Sequence, residues 1–271
     1  SLAEDKVPGE DALVKLLSRL RSRRSGGLAA PLIAGVLAMT LAGSARAGKT
    51  VGGSCVVCHR HATGIAYVEH NYADWAKSVH ATVGVGCDAC HGGNPAAKDK
   101  ANAHAGVIMS SVTSSPVYYT KLPETCGRCH EDILKAFRHS RHYEELNHTG
   151  RGPNCVTCHG AMANHILEPR MIQMTCTLCH RAPSGAQAAL TSLNNAGVQL
   201  ARLKRALAGA KADGVAAGPQ NKAYEEAQAR YRETRIAWHA FDVPAVLNAS
   251  QAIARQAATT LNELELKRQQ R

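Results

Sequence analysis

The chain has 271 residues, ten Cys, fourteen His and a formal net charge of +11, yet Phe, Trp and Tyr together make up only 4% of it. That length gives room for one or two domains, and the shortage of aromatic side chains excludes an ordinary aromatic-rich polypeptide core. The interior of the part rich in Cys and His must be filled by something other than large side chains.

At the N-terminus, residues 19–24 read Arg-Leu-Arg-Ser-Arg-Arg and residues 28–41 form an apolar run. Ser44-Ala45-Arg46-Ala47 follows, with small residues at the two positions a signal peptidase inspects. A basic stretch, a hydrophobic stretch and an A-x-A site predict a secretory signal over residues 1–47, cleaved after Ala47, so that the mature chain begins at Gly48. The expected location is then the periplasm or outside the cell. If residues 28–43 are not cleaved, they become an anchor in the inner membrane with the remainder facing the periplasm, although Pro31 and several Gly weaken that run as a span.

Every Cys falls in a C-x-x-C pair, and His follows every pair directly. The five are Cys55-Val56-Val57-Cys58-His59, Cys87-Asp88-Ala89-Cys90-His91, Cys126-Gly127-Arg128-Cys129-His130, Cys155-Val156-Thr157-Cys158-His159 and Cys176-Thr177-Leu178-Cys179-His180. This is the attachment motif of c-type haem, repeated five times with no Cys left over. Two thiols add to the two vinyl groups of one porphyrin, and the adjacent His reaches its iron as the proximal ligand. Zinc sites and disulfides also use such Cys pairs, but neither requires His after each one. At the His frequency of this chain, five such matches by chance are expected about four times in ten million.

Five motifs within residues 55–180 leave too little chain to wrap each haem separately. Neighbouring porphyrins are expected to lie close together, to supply much of the buried apolar area, and to be needed for folding. The haems also revise the charge. Ten propionates bring about ten negative charges, offset by up to about five at ferric irons. The basic composition therefore gives no reason to expect a nucleic-acid partner, and any basic patch falls on residues 183–271, where twelve Lys and Arg face seven Asp and Glu.

After the five proximal histidines, nine remain: His61, His70, His80, His104, His139, His142, His148, His165 and His239. Five of them would complete ligation by two His at each iron. His80 and His142 each end a Ser-x-His element upstream of a haem motif, and His165 follows the fourth motif at close range. His70 and His104 fit by position. His139, one helical turn from His142, competes with it; His61 and His148 are weaker, and His239 is the one candidate beyond the haem segment. Met109, Met162, Met171 and Met174 read as core filler.

Residues 48–182 are rich in Gly, Pro and His and predict short helices and loops with little regular structure around stacked haems. Residues 183–271 change character. Leu190, Leu193, Leu200, Leu203 and Leu207 share a helical face that ends at a breaker from Asp213-Gly214 through Gly218-Pro219. A second helix fits residues 221–240. Asp242 and Pro244 read as the cap and first-turn proline of a third, with Val246, Ile253, Ala257, Leu261 and Leu264 inward. The expected fold is mainly α: residues 1–47 a signal, 48–182 a pentahaem cytochrome c domain, and 183–271 a three-helix bundle covering the haem region.

The stretch from Trp75 to Pro95, then CGRCH, the Ser140-Arg141-His142 element, CVTCHGAMANHI and CTLCH, resembles the multihaem cytochrome superfamily of hydroxylamine oxidoreductase, pentahaem nitrite reductase, octahaem reductases and tetrahaem carriers. The resemblance covers about residues 55–180. It implies that the histidines of the Ser-x-His elements, His80 and His142, are distal ligands, and suggests the same for His165. Pentahaem nitrite reductases carry a Lys-bearing motif at the catalytic haem, whereas all five motifs here end in His. His80, Gly84, Val85, Cys87, Cys90 and His91 also resemble a pattern of NapC/NirT quinol dehydrogenases, which keep an N-terminal anchor and typically have Met where this chain has His61.

These features together predict electron transfer between redox partner proteins through five haems, mostly with two His ligands and therefore at lower potentials than Met/His cytochromes. The competing expectations are a reductase of a small nitrogen or sulfur compound at one open haem, an anchored quinol dehydrogenase, and a subunit of a haem conduit. The five motifs predict that the purified protein, analysed by mass spectrometry after denaturation, carries five haem masses and no free thiol. Four or fewer haems with thiols left over would contradict the motif reading.

Overall fold

The computed structural model describes residues 53–62 and 72–270. The predicted signal over residues 1–47, its cleavage site, and His70 lie outside the described residues. What is described is mainly α.

Among the described residues, the segment that carries the motifs has ten α-helices of four to nine residues: α1 (Gly53–His59), α2 (Tyr72–Ala76), α3 (Val79–Thr82), α4 (Asp88–His91), α5 (Lys100–Ala103), α6 (Leu122–Gly127), α7 (Glu131–Arg138), α8 (Arg141–Thr149), α9 (Cys155–His159) and α10 (Ile172–Cys176). Local chemistry sets their ends. The hydroxyls of Ser78 and Ser140 accept from the amides of Ala81 and Tyr143, both at 3.1 Å, and so cap α3 and α8. Asp99 caps α5 in the same way. Asn154 and Thr157 form a reciprocal capping box at the start of α9. Each such cap satisfies amides that a short helix would otherwise leave bare.

These short helices have almost no polypeptide core. Among the described residues, the buried apolar side chains of the motif segment are Val56, Pro123, Phe137, Leu146 and Ile172, while fifteen lie beyond residue 183. Val83, Met109, Ile166, Met174 and Leu178 of the same segment are each at least 66% exposed. Apolar surface that the chain itself does not cover is what a haem-lined interior requires.

The C-terminal region is built in the opposite way. Helix α11 (Ser184–Ala212) buries Ala189, Leu190, Leu193, Ala196, Leu200, Leu203, Leu207 and Ala210. Helix α13 (Val243–Gln269) buries Val246, Ser250, Ile253, Ala257, Thr260 and Leu264. The three- and four-residue spacing marks one continuous seam on each helix. Between them runs α12 (Gly218–Ala237), which buries only Gln220, Ala227 and Thr234. Lys267 of α13 donates to Gln220 at 3.1 Å, and Arg268 pairs with Asp213 at 2.5 Å. The C-terminus of α13 therefore meets the start of α12 and the end of α11, which gives an up-down-up bundle.

Turn chemistry explains its corners. Gly214 has φ +68°, the Gly214 amide donates to the Lys211 carbonyl, and the Val215 amide donates to the Ala210 carbonyl at 2.8 Å. This pair of bonds is the left-handed glycine cap, and Val215 completes it by packing on the core. Helix α12 starts at Gly218, earlier than the sequence pattern predicts, because Pro219 in the first turn has no amide to lose. Asp242 caps α13 through the Ala245 amide at 3.1 Å, as expected.

A second apolar cluster joins the two regions. Ile172 of α10 packs with Ala189, Leu190, Leu193, Trp238 and Val246, and Leu167 and Cys176 lie against the same cluster. The end of the bundle nearest its chain start is thus seated on the fifth motif. Among the described residues no helix is long and apolar enough to cross a membrane.

Leu203 is fully buried at the centre of the bundle. Leu203→Ala is expected to cost about 2–5 kcal/mol, read as a lower urea midpoint of the far-ultraviolet circular dichroism signal, with haem content unchanged.

Candidate haem-binding site

A single helical turn shapes each motif. The His amide donates to the carbonyl of the first Cys in the second, third and fifth motifs, at 2.9 Å for His91 to Cys87, 3.0 Å for His130 to Cys126 and 2.8 Å for His180 to Cys176. The first and fourth motifs lie within α1 and α9. Residues three and four apart share a helix face, so the turn presents both thiols and the imidazole to the same side. The ten Cys form no disulfide.

Consecutive motifs are neighbours. Burial first, and then the adjacent Cys55, push the Cys87 thiol up to about 11. Burial and then Cys126 raise Cys90. Cys126 and Cys155 lie side by side, and the contact brings the Cys126 thiol down to about 7 and pushes that of Cys155 up. Burial and then Cys176 push Cys158 up to about 11. Arg128 of the third motif reaches back and donates to the Ala89 carbonyl of the second at 2.8 Å. The motifs follow one another in space in their chain order.

Opposite the proximal rings stand other histidines. Ring centroids are 6.0 Å apart for His59 and His104, 6.1 Å for His80 and His130, 5.9 Å for His142 and His180, and 6.1 Å for His159 and His239. A ligating imidazole nitrogen lies about 2 Å from its metal. With the ring centre roughly 1 Å further back, two rings on opposite sides of one ion have centroids about 6 Å apart. Among the described residues no three His, Cys, Asp or Glu side chains gather around one point. Two imidazoles without further protein donors suit an ion whose other ligands come from a macrocycle, which fits haem and does not fit zinc.

Hydrogen bonds fix the tautomer of these rings. A carbonyl only accepts, so the Nδ1 of His104 donates to Lys100 at 2.8 Å, that of His159 to His165 at 2.9 Å, and that of His239 to Arg235 at 3.1 Å. The Nδ1 of His80 faces the Asn164 Oδ1 at 2.9 Å. The Asn164 Nδ2 is committed to the carbonyls of Gly160 and Ala161, which turns the amide oxygen toward His80. In each case Nε2 keeps its lone pair, the arrangement a metal-ligating His uses. Burial first, and then the facing His180 or His159, hold His142 and His239 below the usual histidine range. Each favours the neutral ring, the form that ligates.

The Ser-x-His elements gain a physical reason here. Ser78 and Ser140 are buried caps, which places His80 and His142 at the second position of their helices, facing inward. Gly152 packs against α8, where a Cβ would overlap the His142 carbonyl and the Leu146 amide. The Nδ1 of His142 is buried without a hydrogen-bond partner, and its ring meets Phe241 edge-on at 4.3 Å. His139, His148 and His61 are exposed, and His61 accepts from the Arg60 Nε at 3.1 Å.

His165 stands differently from the sequence expectation. Its carbonyl, not its ring, serves the fourth motif, and its Nδ1 turns to the Ala163 carbonyl at 3.2 Å. Among the described residues no ring contact pairs it with a proximal histidine, and its Nε2 is buried without a partner. Asn164 and Phe241 are two further residues of the site that the motifs alone do not mark. An Asn beside a candidate ligand shortly after a motif is the signal that could have found the first, while the second depends on a contact 99 positions from His142.

No protein-family model matches the chain, and no solved structure does. The chain is similar to the C-type polyheme cytochrome OmcC of Geobacter sulfurreducens, at 25% identity over 185 residues. The match covers 56% of this chain and 23% of that protein, so the chain spans about a quarter of its relative's length. The similarity supports a relationship to the multihaem c-type cytochromes and, with the Cys pattern, supports haem c as the cofactor.

Asn164→Ala removes the acceptor that makes the His80 ring a stronger donor. It is expected to raise the reduction potential of one haem and leave the others in place, as read in a spectroelectrochemical titration. An unchanged titration would mean that the carboxamide does not act on His80.

Proposed function

We propose that the chain is an exported pentahaem c-type cytochrome that carries electrons between redox proteins in the periplasm or outside the cell. The observation that carries this reading is the 5.9–6.1 Å pairing of proximal histidines with histidines expected from the sequence to be distal ligands: His59 with His104, His130 with His80, and His180 with His142. His70, expected from the sequence as a further distal ligand, lies outside the described residues. When bound, each haem supplies a one-electron ferric/ferrous couple.

The chain's own residues supply the rest. Ser78, Ser140 and Asp99 fix the helices that bear His80, His142 and His104, so these rings are held in place by backbone geometry. Held rings keep the ligand set constant through a redox cycle, which suits transfer without chemistry. Motifs adjacent in space bring successive haems close together, so electrons pass along the chain order. The export signal over residues 1–47 supplies the location. The partners are other redox proteins, and neither nucleic acid nor a membrane is needed for this role.

A reductase needs one iron with a vacant or weakly held face. Distal histidines opposite the motifs favour the carrier over the reductase and over the quinol dehydrogenase. Electron paramagnetic resonance of the oxidised protein is expected to show low-spin ferric haem with no high-spin signal, and no change on adding nitrite or hydroxylamine. His80→Ala and His142→Ala should each create one high-spin haem. A strong high-spin signal in the wild type that responds to nitrite would replace the carrier with the enzyme.

A further inference from the structure

The corner between α12 and α13 does more than close the bundle. Helix α12 ends at Ala237 and continues as a 3₁₀ turn, Trp238–Ala240, before Phe241 reverses the chain into the Asp242 cap. Phe241 has φ +60° and ψ +25°, and it is the one non-glycine residue with positive φ among those described. A bulky residue in that region costs energy that surrounding packing must offset.

The packing is specific. The chain has two Phe and two Trp, and both Phe and one Trp meet here. Trp238 is buried against Ile172, Leu190, Leu193 and Val246. Phe241 contacts the His142 ring at 4.3 Å and lies 6.5 Å from Phe137. Both anchors face the motif segment, and His239 lies between them in sequence. Its Nδ1 is tied to the Arg235 and Ile236 carbonyls at 3.1 and 3.3 Å. Its ring lies 6.1 Å from that of His159 and is inclined to it by 24°, against 46° to 59° in the other three pairs. His165, the nearer residue in sequence, has its carbonyl on His159 Nδ1 and its own Nδ1 on Ala163.

We propose that His239 is the second axial ligand of the haem carried by the fourth motif, so that the C-terminal bundle is part of the haem-binding unit and not only its cover. This rests on the reading of the chain as a haem carrier. The bundle contributes Nε2 of His239, aimed by the two backbone carbonyls that hold Nδ1, while the strained Phe241 sets the register of the turn. Loading of the fourth haem then joins the bundle to the motif segment by a metal bond.

The test uses the full-length, haem-loaded protein. His239→Ala is expected to retain every covalent haem by mass, to show one new high-spin ferric signal, and to lose that signal when free imidazole is added. His239→Met keeps a ligand at the position, and is expected to raise the potential of one haem, because an axial Met raises it. His165→Ala is expected to leave the spin states unchanged. If His239→Ala stays fully low-spin and His239→Met shifts no potential, or if His165→Ala produces the high-spin haem, the assignment is overturned while the carrier reading stands. A wild-type protein without covalent haem would overturn the carrier reading itself.

Discussion

One turn of helix, repeated five times, sets the position of almost everything else in residues 53–182. The hydrogen bond from each motif His back to its first Cys, 2.8 to 3.0 Å where it lies outside a regular helix, brings two thiols and an imidazole to one side. Once haem is bonded there, the porphyrin becomes the local core and the chain needs only to supply a distal ring and a few caps. That accounts for helices of four to nine residues, for the few buried apolar side chains among the described residues of the segment, and for serines, an aspartate and an asparagine at the helix starts.

The C-terminal bundle follows the opposite principle and stabilises itself. Its two seams of Leu, Ile, Val and Ala at three- and four-residue spacing need no cofactor. The two regions meet where Trp238, Phe241 and His239 enter the motif segment beside Ile172 and His142. Both Phe and one of the two Trp meet at this junction, where a flat, rigid ring can pack against an imidazole.

Much of this was legible in the sequence because the signals are local. The five motifs, the leucine faces of α11 and α13, the Asp213-Gly214 stop and the Asp242 cap are each read within a few residues. His80 and His142 stood out through the serine two positions earlier, which the structure explains as a helix cap. The start of α12 lies before the expected residue 221 because Gly218-Pro219 serves equally as a breaker and as a first turn. The ring that faces His159 is not legible in the sequence, since it belongs to His239, eighty positions away. Only the packing of the bundle against α10 brings the distant residue opposite. Asn164 and Phe241 escaped for the same reason, because each acts across the fold on a ring supplied by another element.

The central claim is that pairs of imidazoles, one from a motif and one from elsewhere in the fold, each hold one iron. Near-infrared magnetic circular dichroism of the oxidised protein reports the axial ligands of low-spin ferric haem. The four ring pairs at 5.9–6.1 Å predict a His/His band with the intensity of at least four haems per molecule. A spectrum dominated by His/Met or by five-coordinate haem would contradict the account.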